Sequence, residues 1–258
     1  MVLLRFVPYN GRCSGDESKQ DIIAYDPSQS NPLNIVRVES NLPYDFVGSA
    51  IIENLIIDGL DPSNGATGIL LENVYNCWVR NLTIMNCDVG IKVKIANGGN
   101  WAHGNRFEHI RMINVKTGIL FEGASNTDKY FSHTTIDDVR ISLVQANSVG
   151  IMVGTGSNGF ADLHGAFIKA TVWMNATSHK GLVVNGSLRY SLVNFEVEHM
   201  DENVSPGQGM VVNSGASVKD NQNFLLTALW FRSKNRRLSV DNGADCDEGY
   251  ITVFSRDM

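Results

Sequence analysis

A short motif returns in order along most of this chain: glycine, an aliphatic residue, one variable residue, then a second apolar residue. It reads Gly68-Ile69-Leu70-Leu71, Gly90-Ile91-Lys92-Val93, Gly118-Ile119-Leu120-Phe121, Gly150-Ile151-Met152-Val153, Gly181-Leu182-Val183-Val184 and Gly209-Met210-Val211-Val212, with a degenerate copy at Arg237-Leu238-Ser239-Val240. The intervals are 22, 28, 32, 31, 28 and 28 residues. Self-similarity at such a spacing marks architectures in which one small unit buries its apolar face only by stacking on the next.

Between these copies lies a second element, with apolar residues at its first, fourth and sixth positions. It reads Ile52-Leu55-Ile57, Val79-Leu82-Ile84, Phe107-Ile110-Met112 and Ile136-Val139-Ile141, and more weakly Phe167-Ala170-Val172, Leu192-Phe195-Val197 and Phe224-Thr227-Leu229. Each repeat thus holds one short strand after glycine and two more joined at a corner. Isolated strands this short form no stable sheet, but stacked in parallel they align their Ile, Leu and Val into one continuous core. No window sustains a helical i, i+3, i+4, i+7 stripe, and a propeller blade needs four strands in ~40–45 residues. The sequence therefore predicts an all-β fold, a right-handed single-stranded parallel β-helix of about seven coils. The corner positions are Asn54, Asn81, His109, Asp138, Lys169, Asn194 and Leu226. Asn and Asp accept the left-handed backbone of a sharp corner, and stacked Asn residues bond along a column, so a partial asparagine ladder is expected there.

With Ile52-Glu53-Asn54-Leu55-Ile56-Ile57-Asp58-Gly59 and Asn105-Arg106-Phe107-Glu108-His109-Ile110, these copies resemble the coils of the pectate-lyase-like superfamily. The flavour is closest to the branch shared by bacteriophage tailspike or tail-appendage proteins and secreted glycanases. The resemblance spans roughly residues 50–250 and implies a fold. The activity it suggests, on polysaccharide, is an expectation, because a coil motif reports packing.

Residues 1–50 do not follow the repeat and are expected to form an N-terminal cap with an incomplete first coil, ahead of a β-helix over 51–258. The formal net charge of −6 argues against general nucleic-acid binding, which needs a basic surface. Cys13, Cys77, Cys87 and Cys246 show no metal-ligand spacing and are expected to be free thiols. No apolar run reaches the ~20 residues of a membrane span. The opening segment lacks a leader pattern. The abrupt ends fit a piece of a larger extracellular or virion-associated protein. No cofactor or metal is expected.

Alternation places two outward columns on the sheet of glycine-led strands. The first is Leu70, Lys92, Leu120, Met152, Val183, Val211 and Ser239; the second is Glu72, Lys94, Glu122, Gly154, Asn185, Asn213 and Asp241. Glu72 and Glu122 stand two rungs apart, ~9.6 Å at ~4.8 Å per rung, which suits an inverting glycosidase pair, with Lys94 between them to hold a carboxylate or an acidic sugar. The same three residues also make an ordinary charge ladder. The following loops hold Trp101 and His103, then Tyr130, Phe131 and His133, then Phe160, Asp162 and His164. Stacked, they would form an aromatic and imidazole strip suited to sugar rings. Arg111 and Arg140 point outward in adjacent coils, without the carboxylate cluster of a calcium-dependent lyase. Glu196, Glu198, His199, Asp201 and Glu202 form an acidic patch.

Three functions fit: a polysaccharide-recognising β-helix of the tailspike type that also cleaves its glycan or only binds it, a free-standing polysaccharide hydrolase or lyase, and a non-catalytic shaft or adhesin. The outward Leu120, Met152, Val183 and Val211 form an apolar strip, which points to burial in a homotrimer.

Overall fold

The structure, a computed structural model, describes residues 12–14, 21–24, 34–39, 47–48, 50–96, 101–123, 130–156, 159–199, 207–229, 238–242, 244–246 and 251–256. Its strands lie in three parallel sheets of eleven, eight and eight strands that together form a β-solenoid. One coil shows the path. A long-sheet strand, Trp78–Met85, turns at Asn86 into a glycine-led strand, Val89–Ile95; a short strand, Trp101–His103, then turns at Gly104 into the next long strand, Arg106–Ile113. Ile91 consequently pairs in register with Ile69 on one side and Ile119 on the other. Ile69, Ile91, Ile119, Ile151, Leu182 and Met210 run down the interior, fully buried, each stabilising the stack by about 1.5–3 kcal/mol.

The described residues before position 50 belong to the same stack. Arg12–Ser14 and Asp21–Ala24 pair with Ile51–Glu53 and Leu55–Asp58 in the long sheet. Asn34–Glu39 pairs with the glycine-led Thr67–Glu72, and Val47–Gly48 with the short strand Val74–Tyr75. Every sheet receives a strand from this region, and the other residues of the expected cap lie outside the described residues.

The repeated glycine has a steric cause. A Cβ on Gly118 would meet the Gly150 carbonyl oxygen at 2.5 Å and Ile141 Cδ1 at 2.7 Å. The same two-sided crowding recurs at Gly68, Gly90, Gly150 and Gly181, each pressed by the next glycine's carbonyl and by Ile84, Met112, Val172 or Val197 from the long sheet. The glycine-led strand lies so close to the neighbouring sheet's core side chains that no residue with a Cβ fits.

The corner prediction holds in part. Asn54, Asn81, His109 and Asp138 adopt left-handed backbone, with φ between 50 and 58°. Lys169, Asn194 and Leu226 do not, because the register shifts between Asp137 and Val139 and the later strands run straight through. Plain alternation then buries Ile168, Ala170 and Val172, then Val193, Phe195 and Val197, then Phe224, Leu226 and Ala228. Phe167 and Leu192, expected inside, are 37% exposed. The side-chain ladder also runs elsewhere, at the turn into the glycine-led strands. Asn86 Nδ2 donates to Asp58 at 2.9 Å, Asn114 Nδ2 to Asn86 at 2.8 Å, and Gln145 Nε2 to Asn114 at 3.2 Å. Buried side chains also bridge rungs in two separate stretches: Asn105 accepts from the Cys77 amide at 2.9 Å, while Ser191 Oγ accepts from the Ala166 amide and Asn221 from the Ser191 amide, both at 3.0 Å. Buried amides left without such partners would each cost about 1–3 kcal/mol.

The apolar strip read as a trimer surface is already covered within one chain. Leu120, Val183 and Val211 are 6%, 3% and 4% exposed, and Val149 joins Val183, Val211 and Met152 in a small cluster separate from the main core. This strip leaves no broad apolar face for a partner subunit. Cys77 and Cys87 are free and buried, and burial pushes both thiols up to about 12. Among the described residues no helix is long and apolar enough to cross a membrane.

Replacing Gly118 by Ala should cost about 1–3 kcal/mol through overpacking, read as a lower urea midpoint; an unchanged midpoint would remove the steric account of the repeat.

Candidate functional site

The short sheet presents the densest collection of rings on the surface. In each of its five three-residue strands the middle residue points inward: Ala102, Phe131, Leu163, Leu188 and Val218 are buried. The residues on either side point outward and stack in two columns. One holds Trp101, Tyr130 and Asp162 in register; the other holds Tyr75, His103, Ser132, His164, Arg189 and Lys219. Each strand ends at a left-handed residue, Asn76, Gly104, His133, Gly165, Tyr190 or Asp220. The corner residue projects beside the second column, which brings His133 between His103 and His164.

The rings touch. The Tyr75 and His103 centroids lie 5.1 Å apart, His103 and His133 4.7 Å, His133 and His164 6.3 Å, and Tyr130 and His164 5.7 Å. His103 Nδ1 shares a hydrogen bond of 2.8 Å with Ser132 Oγ. Trp101 stands 51% exposed at the edge of the strip. Burial, and then the neighbouring imidazoles, hold His103 below the usual histidine range; burial likewise lowers His164. Asp162 is buried and engaged by Arg189 through Nε, at 3.1 Å from Oδ1, and through Nη2. The Arg189 guanidinium sits 5.6 Å from the Tyr190 ring. Among the described residues no group of three His, Cys, Asp or Glu side chains is arranged to hold a metal ion.

The sequence named Trp101, His103, Tyr130, His133, Phe160 and His164 for this strip. Five of the six lie on it, in an order that differs from a simple alignment of the loops. Trp101 and Tyr130 pair with Asp162, not with Phe160, which is half-buried ahead of the strand Asp162–His164. His133 occupies the corner, and Ser132 takes its expected place in the histidine column. Tyr75, Ser132, Arg189 and Tyr190 were missed. Aligning the coils on the residue pairs at the corner, Asn76-Cys77, Gly104-Asn105, His133-Thr134, Gly165-Ala166 and Tyr190-Ser191, recovers all of them.

On the glycine-led sheet Glu72, Lys94 and Glu122 do stand in register on successive rungs. Each carboxylate is held by cations. Glu72 lies 3.8 Å from Arg37 and 3.7 Å from Lys94, while Glu122 pairs at 2.9 Å with Lys92. Further down this column Asn185 donates to the Gly154 carbonyl at 2.8 Å and Asn213 donates to Asn185.

A third feature lies on the outer face of the long sheet, where the corner disappears. Asp138, Val139, Lys169, Ala170, Thr171, Asn194 and Glu196 line a cleft of about 90 Å³. The two carboxyls in it have opposite surroundings. A hydrogen bond from His109, at 3.1 Å, together with Arg140 at 3.2 Å, holds Asp138 below the usual carboxylate range. Burial and the adjacent Glu198 push Glu196 up to about 7. Arg111 and Arg140 face outward in register, as expected. Of the acidic patch, His199 is buried, and Asp201 and Glu202 lie outside the described residues.

Family models, curated proteins and solved structures give no match to this chain.

A carboxyl whose folded pKa lies above its unfolded value stabilises the fold fully below the unfolded pKa and loses that contribution as pH rises toward the folded one. For Glu196 the window runs from about 4.5 to about 7. Glu196→Gln should therefore gain stability over the wild type at pH 8 relative to pH 4.5, measured by urea unfolding. An equal difference at both pH values would contradict the burial assigned to this carboxyl.

Proposed function

We propose that this protein recognises a polysaccharide, with the ring strip of the short sheet as the binding face. The observation that carries this reading is the run of touching rings Tyr75, His103, His133, His164 and Tyr130, with the half-exposed Trp101 at its edge. Sugar rings have one apolar face and a rim of hydroxyls. Aromatic faces take the first, while imidazole nitrogens and the Ser132 hydroxyl take the second. The rigid stack presets these groups, so little conformational freedom is lost on binding. The resemblance of the coils to the pectate-lyase-like superfamily and its tailspike branch supports the same ligand class and an extracellular or virion-associated setting.

One observation favours a further, catalytic reading: the two carboxyls of the long-sheet cleft differ in protonation. At neutral pH Asp138 is ionised, while Glu196 keeps its proton to about pH 7. Such a pair suits acid–base hydrolysis, Glu196 protonating the leaving oxygen and Asp138 drawing a proton from the attacking water.

Both readings are tested by one glycan panel assayed for binding and for new reducing ends. Trp101→Ala should weaken binding about tenfold, the loss of roughly 1.4 kcal/mol expected when one ring contact goes. Glu196→Gln should leave binding intact and abolish any cleavage. Binding that is indifferent to Trp101 would remove the strip, and cleavage that survives Glu196→Gln would remove the pair.

A further inference from the structure

Three of the chain's six histidines meet in this one strip. The others are committed elsewhere: His109 bonds to Asp138, while His179 and His199 are buried. The groups facing the three imidazoles are the Tyr75 and Tyr130 rings, the Ser132 hydroxyl, Asp162 and Arg189. Asp162 is the carboxylate beside His164, and its charge is already met by Arg189. Among the described residues the cluster is thus a group of proton acceptors whose one acidic neighbour is already paired. Burial, and then the neighbouring imidazoles, the nearer of them 4.7 Å away, disfavour the charged form of His103 in the free protein.

We propose that the glycan taken by the strip is anionic, carrying sulfate or carboxylate groups, and that it binds together with a proton taken up by His103. This rests on the polysaccharide reading of the same face and names the chemistry of its ligand. An anion seated over His103 stabilises its imidazolium and accepts a hydrogen bond from Nε2, while Ser132 Oγ, 2.8 Å from Nδ1, accepts the other. His164 contributes least, because its Nδ1 is buried without a hydrogen-bond partner and a proton there would have no acceptor. By linkage, this proton strengthens affinity by up to about tenfold per pH unit, across the range in which the free His103 is neutral. Binding must therefore tighten as pH falls from 7.5 to 5.5.

The test uses dextran sulfate and uncharged dextran as probes, titrated calorimetrically at pH 7.5, 6.5 and 5.5 in two buffers of different ionisation enthalpy. The comparison protein is the double variant His103→Gln/His133→Asn; asparagine suits the left-handed backbone at position 133. For the wild type we expect dextran sulfate to bind at least about tenfold tighter at pH 5.5 than at pH 7.5, with net proton uptake. In the folded double variant we expect that slope to flatten. A slope that persists in the double variant belongs to the general loss of negative charge and overturns the proposal. Equal, pH-independent binding of both dextrans overturns the anionic ligand and leaves the polysaccharide reading standing. Binding of neither probe at any pH counts against both.

Discussion

Five glycine carbonyls, each lodged where the preceding glycine's side chain would have been, set the geometry of the whole molecule. Because Gly68, Gly90, Gly118, Gly150 and Gly181 have no Cβ, one sheet closes onto the core residues of another at a distance that other amino acids forbid. That close approach fixes where every glycine-led strand starts, and with it the register of the residues that follow. The consequence is positional: residues far apart in sequence become side-by-side neighbours at ~4.8 Å. A weak local preference, such as an imidazole on a short strand, is multiplied into a surface.

The three outer faces use this multiplication differently. On the glycine-led sheet it produces a charge ladder, in which Glu72 and Glu122 face cations, and an amide ladder further down. On the short sheet it produces rings in contact. On the long sheet the useful feature is a defect. The solenoid loses its left-handed corner after Asp138, the strands straighten, and the mismatch between kinked and straight rungs opens the cleft beside Glu196. Regular rungs supply a platform, and the irregular one supplies a place where two carboxyls meet different surroundings.

The core was legible because burial writes itself into the sequence with a fixed period. Ile69, Ile91 and Ile119 could be stacked on one another from spacing alone. What sits outside the core was harder, for two physical reasons. A one-residue change in corner length reverses which side chains face inward, so Phe167 and Leu192 looked like core residues and Glu196 was not placed in a cleft. Loops between strands also vary in length, so counting from an aromatic residue put Phe160 in a column that belongs to Asp162. Outward orientation proved a poor guide to exposure as well, since Leu120, Val183 and Val211 point away from the core and are still covered. Five of the six residues named for the strip nonetheless lie on it, because aromatic and histidine pairs recur in three successive loops.

Everything proposed for the outer faces depends on successive coils lying in the stated register, and cross-linking tests that directly. Arg111 and Arg140 are exposed, outward and paired in neighbouring rungs, within the reach of a disulfide. Thr171 lies one rung further on, ~9.6 Å from Arg111, beyond that reach. Buried Cys77 and Cys87, with thiols near 12, should stay unreactive under mild oxidation. Peptide mapping should find the disulfide in Arg111→Cys/Arg140→Cys and none in Arg111→Cys/Thr171→Cys. A bond in the second pair but not the first would mean that the coils do not stack as described.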